Sequence, residues 1–112
     1  MTDTPPQAMT VVDDLAALVP LAEDSTVSRT VLRADGVRVV VFAFDTDQEL
    51  SEHTAAVPVL VWVLDGAVRF GAEGRETVLR PGGLVHLDAR VPHWVVALEP
   101  TRMALTLLDH RG

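Results

Sequence analysis

The chain has 112 residues, a formal net charge of −7 and an apolar fraction of 48%. This length allows one domain with its own hydrophobic core, and the composition excludes global disorder. The absence of Cys excludes disulfides, thiolate metal sites and Cys nucleophiles. All nine basic residues are Arg, which excludes Lys Schiff-base chemistry and a Lys-dependent phosphate loop.

Charge and hydropathy also limit the partners. Net acidity argues against nucleic acid, whose phosphates are met by basic residues, and against an anionic membrane surface. The N-terminus has neither the basic start nor the apolar core of a secretory signal. The longest apolar stretch, Val57 to Leu64, is far shorter than the ~20 residues of a spanning helix. We therefore expect a soluble, cytoplasmic protein with no nucleic-acid or membrane partner.

Residues 1–26 form an acidic leader with five acidic residues and no basic one. We expect its start, the first ten residues, to be mobile. Asp13 or Asp14 before a Leu-Ala-Ala-Leu run predicts one short helical turn that Pro20 ends. The leader is expected to be a solvated segment or an added edge strand without chemistry. Residues 27–112 are expected to form the folded domain.

The rest of the chain consists of short β-rich runs separated by turn signals about every eight to twelve residues. Asp35-Gly36 predicts a hairpin, and Gly71–Gly74 and Pro81–Gly83 predict further turns. The resulting all-β pattern is typical of a sandwich or barrel. The predicted strands are Val27–Arg33, Val37–Phe44, Val57–Leu64, Ala67–Phe70, Arg75–Arg80, Leu84–Leu87, His93–Leu98 and Arg102–Leu108.

Few side chains can carry chemistry, and the sequence has no nucleophile elbow, no H-E-x-x-H pair and no glycine loop that opens a helix. Ser51 lies two residues before His53, but this spacing in an extended segment gives the two side chains only a common direction. We therefore interpret Ser51 as a turn residue. The remaining candidates are the histidines at positions 53, 86, 93 and 110.

Three segments resemble the cupin family of small jelly-roll β-barrels: FAFDTDQELSEHTA (42–55), VLVWVLDGAVRF (59–70) and VLRPGGLVHLDARVPHWVVAL (78–98). The run VSRTVLR (27–33) also resembles the first strand of single-domain members, many of which have no assigned reaction. The resemblance extends over roughly Val27 to Leu108. It implies an all-β, single-domain, cupin-type jelly-roll β-barrel that follows the short leader.

The first cupin motif, G-x5-H-x-H-x3,4-E-x6-G, is only partly present. His53 and Gly66 match it, whereas Asp47, Ala55 and Val59 stand where the family has Gly, His and Glu.

The second cupin motif, G-x5-P-x-G-x2-H-x3-N, is also depleted. Gly82 and His93 match it, whereas Asp88, Arg90 and Ala97 replace its Pro, Gly and Asn. Only two of the four metal-ligand positions of the family are therefore retained, namely His53 and His93.

This depleted set leaves three interpretations of the two histidines. A tightly held divalent metal needs about three protein ligands, often two His and a carboxylate, so the resemblance implies at most a weakly held Fe, Mn, Ni or Zn ion on His53 and His93. Glu49, Glu52 and Asp88 are the nearest carboxylates, and none is well placed as a third ligand. The alternatives are a polar pair in the lumen and acid–base action without metal.

Alternation along the strands predicts an interior lined by small side chains. If His53 and Val59 face inward, every second neighbour does so too, and Ala and Val leave room for a modest apolar cavity. We expect a hydrophobic or weakly polar ligand whose anionic or carbonyl group meets the histidines. The predicted ligand-binding residues are His53, Ala55, Val59, Val61, Val63, His93 and Val95; Ala97 and either Phe42 or Phe44 complete the inward set.

The same alternation turns Trp62, with Leu60 and Leu64, toward the outside, and turns Trp94 away from His93. An apolar ridge on the outer face needs cover, which a homodimer, the leader or an opposing sheet would supply. The pattern does not fix the facing of His86, and His110 is expected at the surface.

Three functions remain open. The first is a small-molecule-binding module of unassigned reaction. The second is a metal-dependent cupin enzyme of dioxygenase or isomerase type, and the third is a structural dimeric domain. Ala55 and Val59 at the lost ligand positions favour the first over the second, and the retained histidines favour both over the third.

Overall fold

The computed structural model describes residues 8–109. These residues form one 3₁₀ turn, Ala16–Leu18, and nine strands. The strands are β1 (Thr26–Ala34), β2 (Val37–Phe44), β3 (Glu49–His53), β4 (Val59–Asp65), β5 (Val68–Ala72), β6 (Arg75–Leu79), β7 (Leu84–Leu87), β8 (His93–Ala97) and β9 (Thr101–Leu108).

The strands form two antiparallel sheets that face each other across the core. The larger sheet has the order β1-β2-β9-β4-β7, and the smaller has the order β3-β8-β5-β6. This arrangement confirms the predicted all-β jelly-roll class. Within residues 8–109 the hydrogen-bonded ladders do not run from one sheet into the other, so the barrel is flattened and open at its seams.

The turns between strands can be compared with the turn residues in the sequence that predicted them. Asp35-Gly36 forms the predicted hairpin, because Ala34 and Val37 are paired and Gly36 has φ of 80°. The predicted Gly71–Gly74 turn is present but shorter: Glu73 and Gly74 form it, and Gly71 lies inside β5. A Cβ there would lie 2.1 Å from the Trp94 ring, so Gly71 provides the space in which that ring packs.

Two strand predictions also needed correction. β3 was missed, because four of its five residues are exposed and its sequence, ELSEH, has no apolar alternation. β4 begins at Val59 instead of Val57. Pro58 has no N–H to offer a ladder, and its carbonyl oxygen accepts a hydrogen bond from the Leu108 N–H.

The inner faces of both sheets make the main core. On β4, Val59, Val61 and Val63 alternate inward and are at most 3% exposed. They pack with inward residues of the opposite sheet, among them Val95 and Ala97. The buried apolar area supplies the main favourable term in folding. Phe42 and Phe44 both belong to this inner face, with ring centroids 5.8 Å apart.

A second cluster covers the outer face of the larger sheet. Val19 of the leader is fully buried with Val41, and Trp62 and Leu64 pack against this cluster. The Val19 carbonyl oxygen accepts a hydrogen bond from Arg102 Nε at 2.8 Å. The leader was expected to be a solvated segment or an added edge strand, and around Val19 it is neither. It packs on the outer face of the larger sheet, where it covers the apolar surface of Trp62 and Leu64.

The predicted helical turn of the leader is present as the 3₁₀ turn, and the Ala16 N–H donates to Asp14 Oδ1. The predicted mobility of the first ten residues concerns mainly residues 1–7, which lie outside the described range, as does His110. No helix in the described range is long and apolar enough to cross a membrane.

Candidate functional site at the mouth of the jelly roll

The last residue of β3 and the first residue of β8 bring the two motif histidines together. His53 and His93 are Cα partners across the β3–β8 ladder. Their ring centroids are 4.3 Å apart and the rings are tilted by 58°. His53 is exposed, whereas His93 is only 2% exposed. The His93 ring is therefore buried between the strands, whereas the His53 ring lies at the surface.

Both rings are fixed by a hydrogen bond to their own strand or the loop before it. His53 Nδ1 lies 2.8 Å from the Ser51 carbonyl oxygen, and His93 Nδ1 lies 2.8 Å from the Val91 carbonyl oxygen. A carbonyl oxygen can only accept, so each Nδ1 carries a hydrogen and donates it. In the neutral ring, Nε2 is then left with a lone pair and accepts.

His93 Nε2 is the exceptional atom of the site. It is buried and has no hydrogen-bond partner within residues 8–109. Burial lowers the pKa of His93 below its usual value of 6.5, and the charge of His53 lowers it further, while the hydrogen bond to Val91 opposes both. His93 is therefore neutral at pH 7, and Nε2 is a buried acceptor in need of a donor.

The strand connections place this pair at one end of the jelly roll. His53 ends β3, and β4 begins six residues later; Leu87 ends β7, and β8 begins six residues later. The two linking segments are joined by a 2.7 Å hydrogen bond from the Arg90 N–H to the Ala55 carbonyl oxygen. We call this end, where β3 and β7 end and β4 and β8 begin, the mouth.

A small cavity of about 200 Å³ lies at the mouth between β5, β6 and β7. Phe70 lines it and also stacks on His93, with centroids 5.9 Å apart and planes 11° apart. Val85 and Leu87 supply apolar surface, and most of the remaining lining is polar or charged: Glu73, Arg75, Glu76, Thr77 and His86. His53 and His93 do not line this cavity; Phe70 connects it to the pair. This volume is below the usual range for drug-sized ligands, about 300–1,000 Å³, so it suits a small molecule.

The donor set does not fit a tightly held metal. The tautomers leave two Nε2 lone pairs, and metal-binding histidines often donate their other N–H to a carbonyl in this way. However, no group of three His, Cys, Asp or Glu in the described range is placed to hold an ion. Glu49, Glu52 and Asp88 are all exposed. Two imidazoles fill two coordination positions, whereas catalytic sites usually have three protein ligands.

The other predicted site residues fall into two groups. Ala55 lies in the linker at the mouth and packs against the main core. The other group, well packed in that core with at most 3% exposure, consists of Val59, Val61, Val63 and Val95. His86 is exposed, because its neighbours Val85 and Leu87 take the inward positions of β7.

Sequence reasoning missed Phe70 as a contact of the histidine pair. Its signal was present, because Val68 and Phe70 alternate inward on β5. Only the pairing of β5 with β8 places Phe70 beside His93, and that pairing joins residues far apart in sequence.

Comparisons with known proteins agree with this architecture. A family model described as a cupin domain matches residues 38–109. The comparison with curated proteins found no significant match.

Solved structures with the same fold span nearly the whole chain. A cupin superfamily protein from Desulfitobacterium hafniense DCB-2 has a TM-score of 0.80 and 21% identity, covering 94% of each chain. A conserved protein of unknown function from Streptococcus pyogenes has a TM-score of 0.81 and 23% identity, covering 100% of this chain and 98% of its own. A putative mannose-6-phosphate isomerase from Ralstonia eutropha JMP134 has a TM-score of 0.76 and 22% identity, covering 90% and 100%.

Proposed function

The chain belongs to the cupin family, and from this premise we propose that it binds a small molecule at the mouth, beside His53 and His93. The ligand carries a hydrogen-bond donor, such as a hydroxyl group, on a small and partly apolar body. The reaction, if one follows binding, is left unassigned.

One observation supports this proposal above all: the buried, unpartnered Nε2 of His93. An unsatisfied buried polar atom costs about 1–3 kcal/mol, and native structures contain few of them. A ligand hydroxyl donating to Nε2 removes that cost. The exposed His53 ring lies close enough to offer a second acceptor to the same ligand.

The tautomers also revise the expected ligand chemistry. The sequence suggested an anionic or carbonyl group opposite the histidines, but both of those groups only accept hydrogen bonds. With the Nδ1 proton of His93 donated to the Val91 carbonyl oxygen, the neutral Nε2 of this ring needs a donor instead.

The test is a thermal-shift and NMR titration of the full chain with small polyols, monosaccharides and hydroxy acids. A ligand that binds the folded state raises the melting temperature by mass action, and we expect its NMR shifts to centre on His93 and Phe70. In the variant His93→Phe the acceptor is lost and the same ligand is expected to bind at least ~10-fold more weakly.

The matched control is Val78→Ala, on the exposed outer side of β6, which is expected to leave binding unchanged. A ligand that binds His93→Phe as well as the wild type contradicts the proposal, as does a hydroxyl-free analogue that binds equally well.

A metal-dependent cupin enzyme is the second candidate, because the two rings are adjacent and each turns its Nδ1 toward a carbonyl oxygen. A metal bound here would be held by Nε2 of each ring. With only two imidazole ligands, we expect any Fe, Mn, Ni or Zn ion to be weakly held. Elemental analysis of untagged protein tests this candidate. Near-stoichiometric metal that disappears in His53→Ala would favour it over simple ligand binding.

We also propose that two copies of the chain form a homodimer through the outer face of the larger sheet. A purely structural role would depend on this dimer. The leader covers Trp62 there, but Leu84, the register partner of Trp62, is 64% exposed. Light scattering coupled to size exclusion measures the mass, and Leu84→Glu is expected to yield monomers if this face forms the contact.

A further inference from the structure

A second cavity, of about 330 Å³, lies at the tip of the β1–β2 hairpin. It does not contain the histidine pair or Phe70. Its lining combines charged and apolar residues, chiefly Arg33, Arg38, Asp35, Asp109, Val57 and Leu107.

The ladder register places the two arginines side by side. Arg33 and Arg38 are Cα partners in the β1–β2 pairing, so their side chains leave the same face of the sheet. Arg38 is also the partner of Leu107 on β9, and Leu107 packs against the main core. The side chains of Arg33 and Arg38 therefore project from the inner face of the larger sheet, at its mouth end.

Residues 8–109 contain two ion pairs, Arg69–Glu76 and Arg102–Asp65, and neither includes Arg33 or Arg38. The acidic residues Asp35 and Asp109 also line the cavity. The backbone N–H of Asp109 donates to the Gly36 carbonyl oxygen at 3.0 Å.

Two like charges directly opposite on a sheet repel each other. An anion placed between them turns this repulsion into two attractions, and the planar guanidinium fork matches the oxygens of a carboxylate or phosphate. Val57 and Leu107, half-buried beside the arginines, keep part of the surroundings apolar, which strengthens charge interactions.

We propose that this cavity binds the acid group, carboxylate or phosphate, of a small organic anion, held by Arg33 and Arg38 together. The site is independent of the function proposed above: the histidine pair requires a donor, whereas the arginine pair requires an acceptor. Failure at one site therefore leaves the other unaffected.

The test is an NMR titration of the isotope-labelled full chain with inorganic phosphate and, separately, with sodium acetate at constant ionic strength. The arginine Nε–H signals and the Gly36 amide are followed. We expect saturable shifts at Arg33, Arg38 and Gly36 with at least one of the two anions. Arg38→Gln is expected to weaken this binding by about tenfold or more, and Arg33→Gln is the second variant, should the first perturb the hairpin.

Arg80→Gln is the matched control, because it removes the same charge from an exposed position just after β6, at the end away from the mouth. Saturation by phosphate alone assigns a phosphate-bearing ligand, saturation by acetate alone a carboxylic acid, and saturation by both a general acid-group site. The proposal is overturned if neither anion saturates these signals, or if Arg80→Gln weakens binding as much as Arg38→Gln does.

Discussion

The burial of His93 makes the stability of this protein depend on pH in a defined direction. Its pKa in the folded state lies below 6.5, mainly because burial disfavours the charged ring. Well above pH 6.5 the ring is neutral in both the folded and the unfolded chain, so it contributes no pH dependence to the stability. As the pH falls below 6.5, the unfolded chain takes up a proton that the folded chain resists, so the folded state loses stability.

The size of this effect follows from one proton. Between 6.5 and the lowered pKa, the free energy of unfolding falls by up to about 1.4 kcal/mol per pH unit. His53 faces His93 from β3, and its electrostatic effect lowers the pKa of His93 further. Replacing His93 by Gln removes the titrating group, so the stability advantage of the wild type over His93→Gln is expected to shrink as the pH falls.

Urea unfolding curves recorded from about pH 7.5 to about pH 5 measure this difference before most carboxylates titrate. His86→Gln is the control, since it removes an exposed imidazole and leaves the His93 contribution in place. The reasoning is refuted if the curves of free energy against pH for the wild type and His93→Gln run parallel through this window.

Three further substitutions test the packing. Gly71→Ala places a Cβ 2.1 Å from the Trp94 ring and is expected to lower the free energy of unfolding by about 1–3 kcal/mol. Calorimetry should show a much smaller loss when the same substitution is made in the Trp94→Ala variant, which has no ring to clash with. Val19→Ala, in a fully buried leader position, is expected to lower the free energy of unfolding by about 1–3 kcal/mol. It should also shift the fluorescence emission of Trp62 to the red, because the ring becomes more exposed to water. An unchanged fluorescence spectrum would contradict the interpretation that the leader covers Trp62. Thr101→Val removes a buried hydroxyl that binds the Ala67 N–H at 3.0 Å, with an expected loss of about 1–3 kcal/mol; urea midpoints equal to the wild type would count against it.

Several features followed from the sequence because their causes are local. The side-chain period of two along a strand correctly assigned Val59, Val61 and Val63 to the inner face. The Asp35-Gly36 pair correctly indicated the first hairpin, since a two-residue loop depends on its own backbone conformation. The same alternation places His93 on the inner face, where it is 2% exposed, whereas His53 is exposed at the surface.

The tertiary structure decided what depends on which strands become neighbours. The pairing of β3 with β8 sets the 4.3 Å separation of His53 and His93, and the pairing of β5 with β8 places Trp94 over Gly71. Alternation indicates the face of a side chain but not its cross-strand partner, because register depends on hydrogen bonds between segments far apart in sequence.

The sequence by itself thus determined the all-β class and the inner and outer faces of the strands, and it predicted a site at His53 and His93. Only the folded molecule decided that His93 Nε2 is buried without a partner, that the leader covers Trp62, and that Arg33 and Arg38 are cross-strand neighbours beside a cavity. The physical reason is that burial and unpaired charge are properties of the whole packed arrangement, which no single strand contains.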